Sequence, residues 1–212
     1  GVHVVQAEDD LAAINLAIGA AFGGALAVTA TTSAGLSLQS EALGVAVISE
    51  LPCVVVNFQR AGPGAGMPTK TEQADLMQAI HGRNGESPLV VLAQASPADG
   101  FAIVLEAVRL AVRYMTPVIV LADIHLARSA ATWRVPVLDD MPPIFLEHAT
   151  QPDANHGTFF PYQRNDSASR PWAAPGTPGL EHRTGGLEKE ELTGNVSFDA
   201  QNHQRMVDQR AQ

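Results

Sequence analysis

The sequence predicts an α/β fold: a doubly wound, mainly parallel sheet with an extended C-terminal tail. Three observations lead there. Strand-like and helix-period runs alternate with short connections as far as about residue 123. The run Cys53–Phe58 is rich in β-branched residues, as strands inside parallel sheets are. Hydrophobic residues make up 46% of the 212 and charged residues 17%, enough apolar surface for one sizeable core. Aromatics are only 5%, so small side chains must pack the helices closely on the sheet.

The elements follow in order. Val2–Gln6 reads as a buried strand, and a helix runs from Asp9 or Asp10 to about Phe22. Leu11, Ile14, Ala17 or Ile18, and Ala21 recur there at helical spacing, with acidic residues in the first turn. Gly23-Gly24 ends it. Ala25–Thr29 is the next strand, and Leu36–Ile48 a helix with Leu38, Ala42, Val45 and Ile48 on one face. Pro52 breaks the chain before the strand Cys53–Phe58. A Gly/Pro-rich loop, Arg60 to Thr71, leads to a helix starting near Glu72, and Leu89–Ala93 is a strand. Ser96 caps a helix whose first residue is Pro97 and which runs to about Tyr114. Val118–Ala122 is the fifth strand.

Periodicity is lost after Asp123, which sets the expected division: an α/β domain over 1–132 and an extended, irregular tail over 133–212. Trp133, Phe145, Phe159, Phe160, Tyr162 and Trp172 mark the tail as a segment draped over its own domain or a partner, because disordered linkers are poor in aromatics. Glu181–Glu191 reads as a solvated loop. The chain opens almost directly into a strand-like run, and an upstream segment is expected to be missing.

Composition narrows the function. A net charge of −9 argues against a nucleic-acid footprint. No stretch of about 18 apolar residues offers a membrane span, and a cytoplasmic location is expected. The lone cysteine, Cys53, reads as a buried small hydrophobe without a disulfide or metal partner. None of the seven histidines, His3, His81, His125, His148, His156, His182 and His203, has metal-ligand spacing. No metal site is expected on this chain.

Three loops lie at the expected carboxyl ends of strands, where open α/β sheets bind ligands. In Gln6–Asp10, a carboxylate before a helix can sit in a partly dehydrated cleft and exchange a proton with a ring nitrogen. Glu8 is the candidate, while Asp9 and Asp10 read as an acidic helix start. In Thr29–Gly35, hydroxyls and N–H groups suit an anion or a polar ring edge, or simple N-capping. In Arg60–Gln73, glycines allow close approach to a ligand, and Arg60 offers a planar fork for a carboxylate.

Four runs together resemble one family: VVQAEDDLAAINLAIGAAFGGALAVTATTSAGLSLQSEALG, VNFQRAGPGAGMPTKTEQADL, HGRNGESP and RPWAAPGTPGLEHRTGGLEKEELTGNVSFD. They are similar to the α subunits of 2-oxoacid:ferredoxin oxidoreductases, particularly the 2-oxoglutarate type, in the part that binds the thiamine pyrimidine. The resemblance implies oxidative decarboxylation of a 2-oxoacid with coenzyme A, thiamine diphosphate and ferredoxin. Glu8 matches the glutamate that hydrogen-bonds the aminopyrimidine N1′ and is the expected catalytic residue. Thr31, Thr32, Ser33 and Gly35 match the loop near cofactor and substrate, and Arg60, with Ser33, is the expected substrate-binding set. The implied partner is a β subunit in an α/β hetero-oligomer, holding the diphosphate and its Mg²⁺, with the iron–sulfur cluster also on partner chains. The family's usual Arg-Gly-Gly-Pro-Ser-Thr-Gly reads Arg60-Ala61-Gly62-Pro63-Gly64-Ala65-Gly66 here, two hydroxyls fewer, and its upstream Tyr-Pro-Ile-Thr-Pro has no counterpart. Pyruvate or another 2-oxoacid as substrate, and a silent interaction-only paralogue or fragment, therefore stay open as alternatives.

Overall fold

The computed structural model describes residues 1–152 and 157–212; His156, discounted above as a ligand, lies outside the described residues. The chain runs α1 (Asp10–Phe22), β1 (Val28–Thr32), α2 (Ser33–Leu38), α3 (Ser40–Ser49), β2 (Cys53–Gln59), α4 (Leu76–His81), β3 (Val90–Ala93), α5 (Gly100–Tyr114), β4 (Pro117–Asp123), α6 (Ile124–Arg128) and α7 (Ala200–Ala211). The described strands form one sheet in the order β1-β2-β4-β3, all parallel. The chain steps outward from β1 to β3 and then back in to β4. With right-handed crossovers, that reversal puts α5 on the face opposite α2, α3 and α4.

Side-chain alternation agrees with two covered faces. Cys53 and Val55 of β2, with Ile119 and Leu121 of β4, meet Ile14, Ile18, Leu36, Leu43, Ala46 and Ala79 from α1 to α4. Val54 of β2, with Val118 and Val120 of β4, meets Ala107, Val108 and Ala111 of α5. Alanines at the centre of both contacts let the helices approach the sheet closely. Each fully buried Ile, Leu or Val contributes about 1.5–3 kcal/mol. Cys53 is part of this core, and burial pushes its thiol up to about 12.

Several boundaries differ from the sequence reading. Val2–Gln6 is no strand: it has no ladder partner among the described residues, and Val2 and Val4 are each 92% exposed. The sheet therefore has four described strands, not five. β1 is displaced to Val28–Thr32 because pairing begins only at Val28 opposite Val54, the preceding residues being spent on the turn in which Ala25 N–H donates to Ala20. The expected helix Leu36–Ile48 begins earlier and breaks at Gln39. The Ser37 and Ser40 hydroxyls donate to carbonyls four residues back, which competes with the helix ladder and bends it. Its buried face is Ala42, Leu43, Ala46 and Val47, while Leu38 is exposed. α4 starts at Leu76 rather than near Glu72, since Glu72, Gln73 and Asp75 are engaged in loop contacts. A 3₁₀ turn, Pro97–Asp99, capped by Ser96, precedes α5.

Several described residues of the segment beyond 132, among them His148, Arg164, Arg170, Trp172 and Lys189, lie against the amino-terminal edge of the sheet, where helices end. Trp172 Nε1–H donates to Ala21 O at 3.0 Å and His148 Nε2 meets Gly24 O at 2.9 Å, both at the end of α1. At the end of α3, Arg170 Nε donates to Glu50 O at 2.9 Å and Lys189 Nζ to Ile48 O. These are carbonyls at helix ends, beyond the reach of the intrahelical ladder, although Ala21 O also accepts from Gly24 N–H at 3.1 Å. Glu50 sits in the left-handed region (φ 53°) and is buried, and Arg164 grips its carboxylate through both terminal nitrogens at 2.6 and 2.9 Å. Tyr162, wholly buried, lies between the Arg170 and Lys189 cations at 5.4 and 4.9 Å from its ring centroid. Burial lowers Lys189 to about 8.

Glu181–Glu191 is only partly the solvated loop its charges suggest: Lys189 is 2% exposed. It is covered by α7, an element that the polar sequence hides. Asp199 caps α7 by accepting from Asn202 N–H at 2.7 Å, Asn202 Nδ2 donates to Lys189 O at 2.8 Å, and Met206 is its wholly buried anchor. Burial alone would raise Glu188, but hydrogen bonds from Arg210 and His203 outweigh it and bring it down to about 2.

Glu50→Ala leaves Arg164 buried without its carboxylate and should lower stability by about 3 kcal/mol in urea denaturation. Glu188 has a folded pKa below its unfolded 4.5, so its contribution is complete above that value and is lost as pH falls toward 2. Acid titration of thermal stability should show this loss, and Glu188→Gln should flatten it.

Candidate functional site at the carboxyl edge of the sheet

Because the strands are parallel, their carboxyl ends gather on one edge. β1 delivers Thr31, Thr32 and Ser33 there, β2 delivers Gln59 and Arg60, and β4 delivers Asp123. The N-terminus of α1 follows Glu8, which is exposed; its side chain makes no hydrogen bond or ion pair among the described residues. Asp9 is the N-cap, its carboxylate accepting from Ala12 N–H at 2.7 Å.

The first turn of α1 is tied to β1. Thr31 Oγ1–H donates to Asp10 Oδ1 at 2.7 Å, and Gln39 Nε2 donates to Asp10 O at 3.1 Å. Thr31 is 5% exposed and Gln39 wholly buried. Gly35 is what lets these groups meet: a Cβ there would stand 2.0 Å from Thr31 Oγ1 and 2.5 Å from Asp10 Cγ. The structure thus turns the Thr31 hydroxyl and Gly35 inward, toward Asp10. Thr32 is half-buried and its side chain is uncommitted among the described residues.

Ser33 connects β1 to the Arg60 loop. Its hydroxyl accepts from Arg60 N–H at 3.0 Å and donates to Arg60 O at 3.2 Å. The Arg60 guanidinium is under-used: Nη1 reaches Ala65 O at only 3.4 Å, and Nε is buried with no acceptor. Such a donor is costly to leave unpaired and suits an incoming carboxylate.

The loop behind Arg60 is held along its length. Ala61 N–H donates to Lys70 O, Met67 N–H to Ala61 O, and Gly62 N–H to Glu72 Oε2. Gly66, at φ +45°, passes so near Ala61 O that a Cβ would lie 2.0 Å from it. Farther on, Gln73 Nε2 donates to Asp123 Oδ2 at 2.7 Å, Asp75 N–H to Gln59 Oε1 at 3.1 Å, and Asn57 Nδ2 to Asp75 Oδ2 at 2.8 Å. Asp123 is 3% exposed; burial alone would raise it, but hydrogen bonds from Leu126 N–H, Gln73 and His125 N–H hold it below the usual carboxylate range.

Ser33 and Arg60 meet at the ends of β1 and β2. Glu8, contrary to the sequence reading, follows no strand among the described residues and precedes the turn of α1 that Asp10 ties to β1. Asp10, Gln39, Asn57, Gln59, Asp75 and Asp123 escaped that reading. A signal existed for three of them: Asn57, Gln59 and Asp123 are polar residues in otherwise apolar strands. Asp10 looked like an ordinary acidic helix start.

A parallel doubly wound sheet with polar loops converging on its carboxyl edge defines a ligand-binding α/β protein. The comparisons specify it further. Residues 1–200 match the family model "Pyruvate flavodoxin/ferredoxin oxidoreductase, thiamine diP-bdg". The "2-oxoglutarate oxidoreductase subunit KorA" of Mycobacterium tuberculosis is 52% identical over 207 residues, 97% of this chain and 31% of that one. The "2-oxoacid:ferredoxin oxidoreductase 1, subunit alpha" of Sulfurisphaera tokodaii is 38% identical over 209 residues, 99% of this chain and 33% of that one. Among solved structures, the 2-oxoglutarate:ferredoxin oxidoreductase from Magnetococcus marinus, with 2-oxoglutarate, coenzyme A and succinyl-CoA bound, superposes with a TM-score of 0.91 at 41% identity, over 100% of this chain and 36% of that one. This chain belongs to the pyruvate flavodoxin/ferredoxin oxidoreductase family, in its thiamine-diphosphate-binding part. It spans about a third of the length of these relatives.

Asp123→Ala removes the acceptor shared by Gln73 and Leu126 N–H. Amide hydrogen exchange across residues 60–75 should quicken by about tenfold or more, while β2 and α5 keep their protection.

Proposed function

We propose that this chain is part of the α subunit of a 2-oxoglutarate:ferredoxin oxidoreductase, acting with a β subunit to convert 2-oxoglutarate and coenzyme A to succinyl-CoA and CO₂ while reducing ferredoxin. The observation that carries the reading is the superposition of the whole chain on the Magnetococcus marinus enzyme, solved with 2-oxoglutarate, coenzyme A and succinyl-CoA bound. A cytoplasmic hetero-oligomer follows from the same reading.

The donor set suits the pyrimidine half of thiamine diphosphate. Glu8 presents an uncommitted carboxylate just ahead of the first turn of α1, able to hold a proton against the ring nitrogen N1′. Bound thiamine diphosphate supplies the electron sink for decarboxylation. Arg60 pairs through its free Nε with a substrate carboxylate, and Ser33 holds that residue's backbone in place. The exposed side of Thr32 borders the same space. The diphosphate with its Mg²⁺, and the iron–sulfur cluster, belong in this reading to partner chains; Cys53, buried and protonated within the sheet, is unsuited to ligate one.

One observation favours a second substrate. The segment Arg60–Gly66 carries no hydroxyl side chain, so the same chemistry on pyruvate or another 2-oxoacid is the runner-up. The deciding experiment is viologen reduction by the full α subunit assembled with its β subunit. Turnover should depend on 2-oxoglutarate and coenzyme A and fall by at least about a hundredfold in Glu8→Gln. A higher kcat/KM for another 2-oxoacid would transfer the assignment to that acid, and a well-formed complex inactive with every 2-oxoacid would make the chain a silent paralogue.

A further inference from the structure

We infer that Asp10, held by Thr31 in the space that Gly35 leaves open, is the positioning residue that aims Glu8 at its ligand. This rests on the role proposed for Glu8. The geometry singles out one contact. Glu8 itself is exposed and without a side-chain partner among the described residues, so nothing on its own side chain fixes its direction. Two residues later the chain is anchored at both its carboxylate and its carbonyl: Thr31 Oγ1 to Asp10 Oδ1 at 2.7 Å, and Gln39 Nε2 to Asp10 O at 3.1 Å.

Both anchors come from rigid surroundings. Thr31 lies in β1 opposite Asn57 of β2 and is 5% exposed, and Gln39 is wholly buried between α2 and α3. With Asp9 capping the helix from the intervening position, the start of α1 is determined relative to β1. Gly35 shows how closely the group is packed: no larger residue fits without pushing into both Thr31 Oγ1 and Asp10 Cγ. An acidic residue needed only to complement the helix dipole would point to solvent and would require neither a buried threonine nor a glycine opposite it. Thr31 and Gly35 thus serve the cofactor through Asp10 and Glu8 rather than by touching it.

The test uses the full α subunit assembled with its β subunit and loaded with thiamine diphosphate, in wild-type, Glu8→Gln, Asp10→Ala, Asp10→Asn, Thr31→Val, Thr31→Ser and Asp10→Ala/Thr31→Val forms. The readout is exchange of the cofactor's C2 proton with deuterated solvent, which needs no substrate, coenzyme A or acceptor, together with KM for the 2-oxoacid. Asp10→Ala and Thr31→Val should each slow exchange about tenfold, the double variant should be no slower than either, and KM should stay unchanged. Thr31→Ser and Asp10→Asn keep the hydrogen bond and should recover most of the rate. Slowed exchange in Glu8→Gln with wild-type rates in Asp10→Ala and Thr31→Val would overturn the positioning role alone. So would additive losses, a KM rising in step, or Thr31→Ser as slow as Thr31→Val. Wild-type exchange in Glu8→Gln would remove the role of Glu8 and this inference with it. If the alanine and valine variants fail to assemble, Asp10→Asn and Thr31→Ser decide: rates as low as that of Glu8→Gln overturn the inference.

Discussion

Four carbonyl groups at the ends of α1 and α3 have no donor within their own helices, and the long C-terminal segment supplies donors to all of them. Trp172 and His148 serve Ala21 and Gly24; Arg170 and Lys189 serve Glu50 and Ile48. An unpaired buried carbonyl costs about 1–3 kcal/mol, a sizeable share of the roughly 5–15 kcal/mol by which a whole domain is stable. The amino-terminal edge of the sheet therefore depends on residues more than 100 positions away in the chain. The irregular segment is a structural part of the α/β unit. Its positive groups lie where helix dipoles are negative, which offsets part of the cost of burying Arg170 and Lys189.

With that edge closed, the opposite edge is left for chemistry, and it is built on a different rule. There the strands end in polar residues that bond to one another and to the loops, so Asn57, Gln59 and Asp123 fasten the segment that carries Arg60. Polar groups inside a sheet are mostly paired, and here much of that pairing goes into holding loops, while Oδ1 of Asn57 has no partner among the described residues. Among the described residues, groups left uncommitted there include the carboxylate of Glu8, the side chain of Thr32, Nε of Arg60, Oε1 of Gln39 and Oδ1 of Asn57. An acid, a hydroxyl and a cation, each on a held backbone, are the elements of a preorganised site.

Much of the fold was legible. The β-branched run at Cys53, the Gly23-Gly24 stop and the Ser96-Pro97 start each act over a few residues, and each stands where local rules put it. The failures were of two kinds. Val2–Gln6 has strand composition, but a strand exists only by pairing, and none of the described residues pairs with it. α7 has a polar sequence, with Met206 as its single wholly buried hydrophobic anchor and hydrogen bonds to Lys189 and Glu188 for the rest, so its hydrophobic period is faint.

At the site, Ser33 and Arg60 reach one edge because parallel strands must end together, and the chain after Glu8, which follows no described strand, is tied there by the contact of Asp10 with Thr31. By itself the sequence determined the class of fold and the family, since those depend on short-range periodicity and on motifs a few residues long. Only the tertiary structure decided that Thr31 and Gly35 face Asp10, that Ser33 holds the backbone of Arg60, and that Arg164 and Arg170 serve Glu50. Those pairings join residues from 21 to 120 positions apart. Hydrogen-bond direction across such distances is set by how the helices and sheet pack, and no local pattern encodes it.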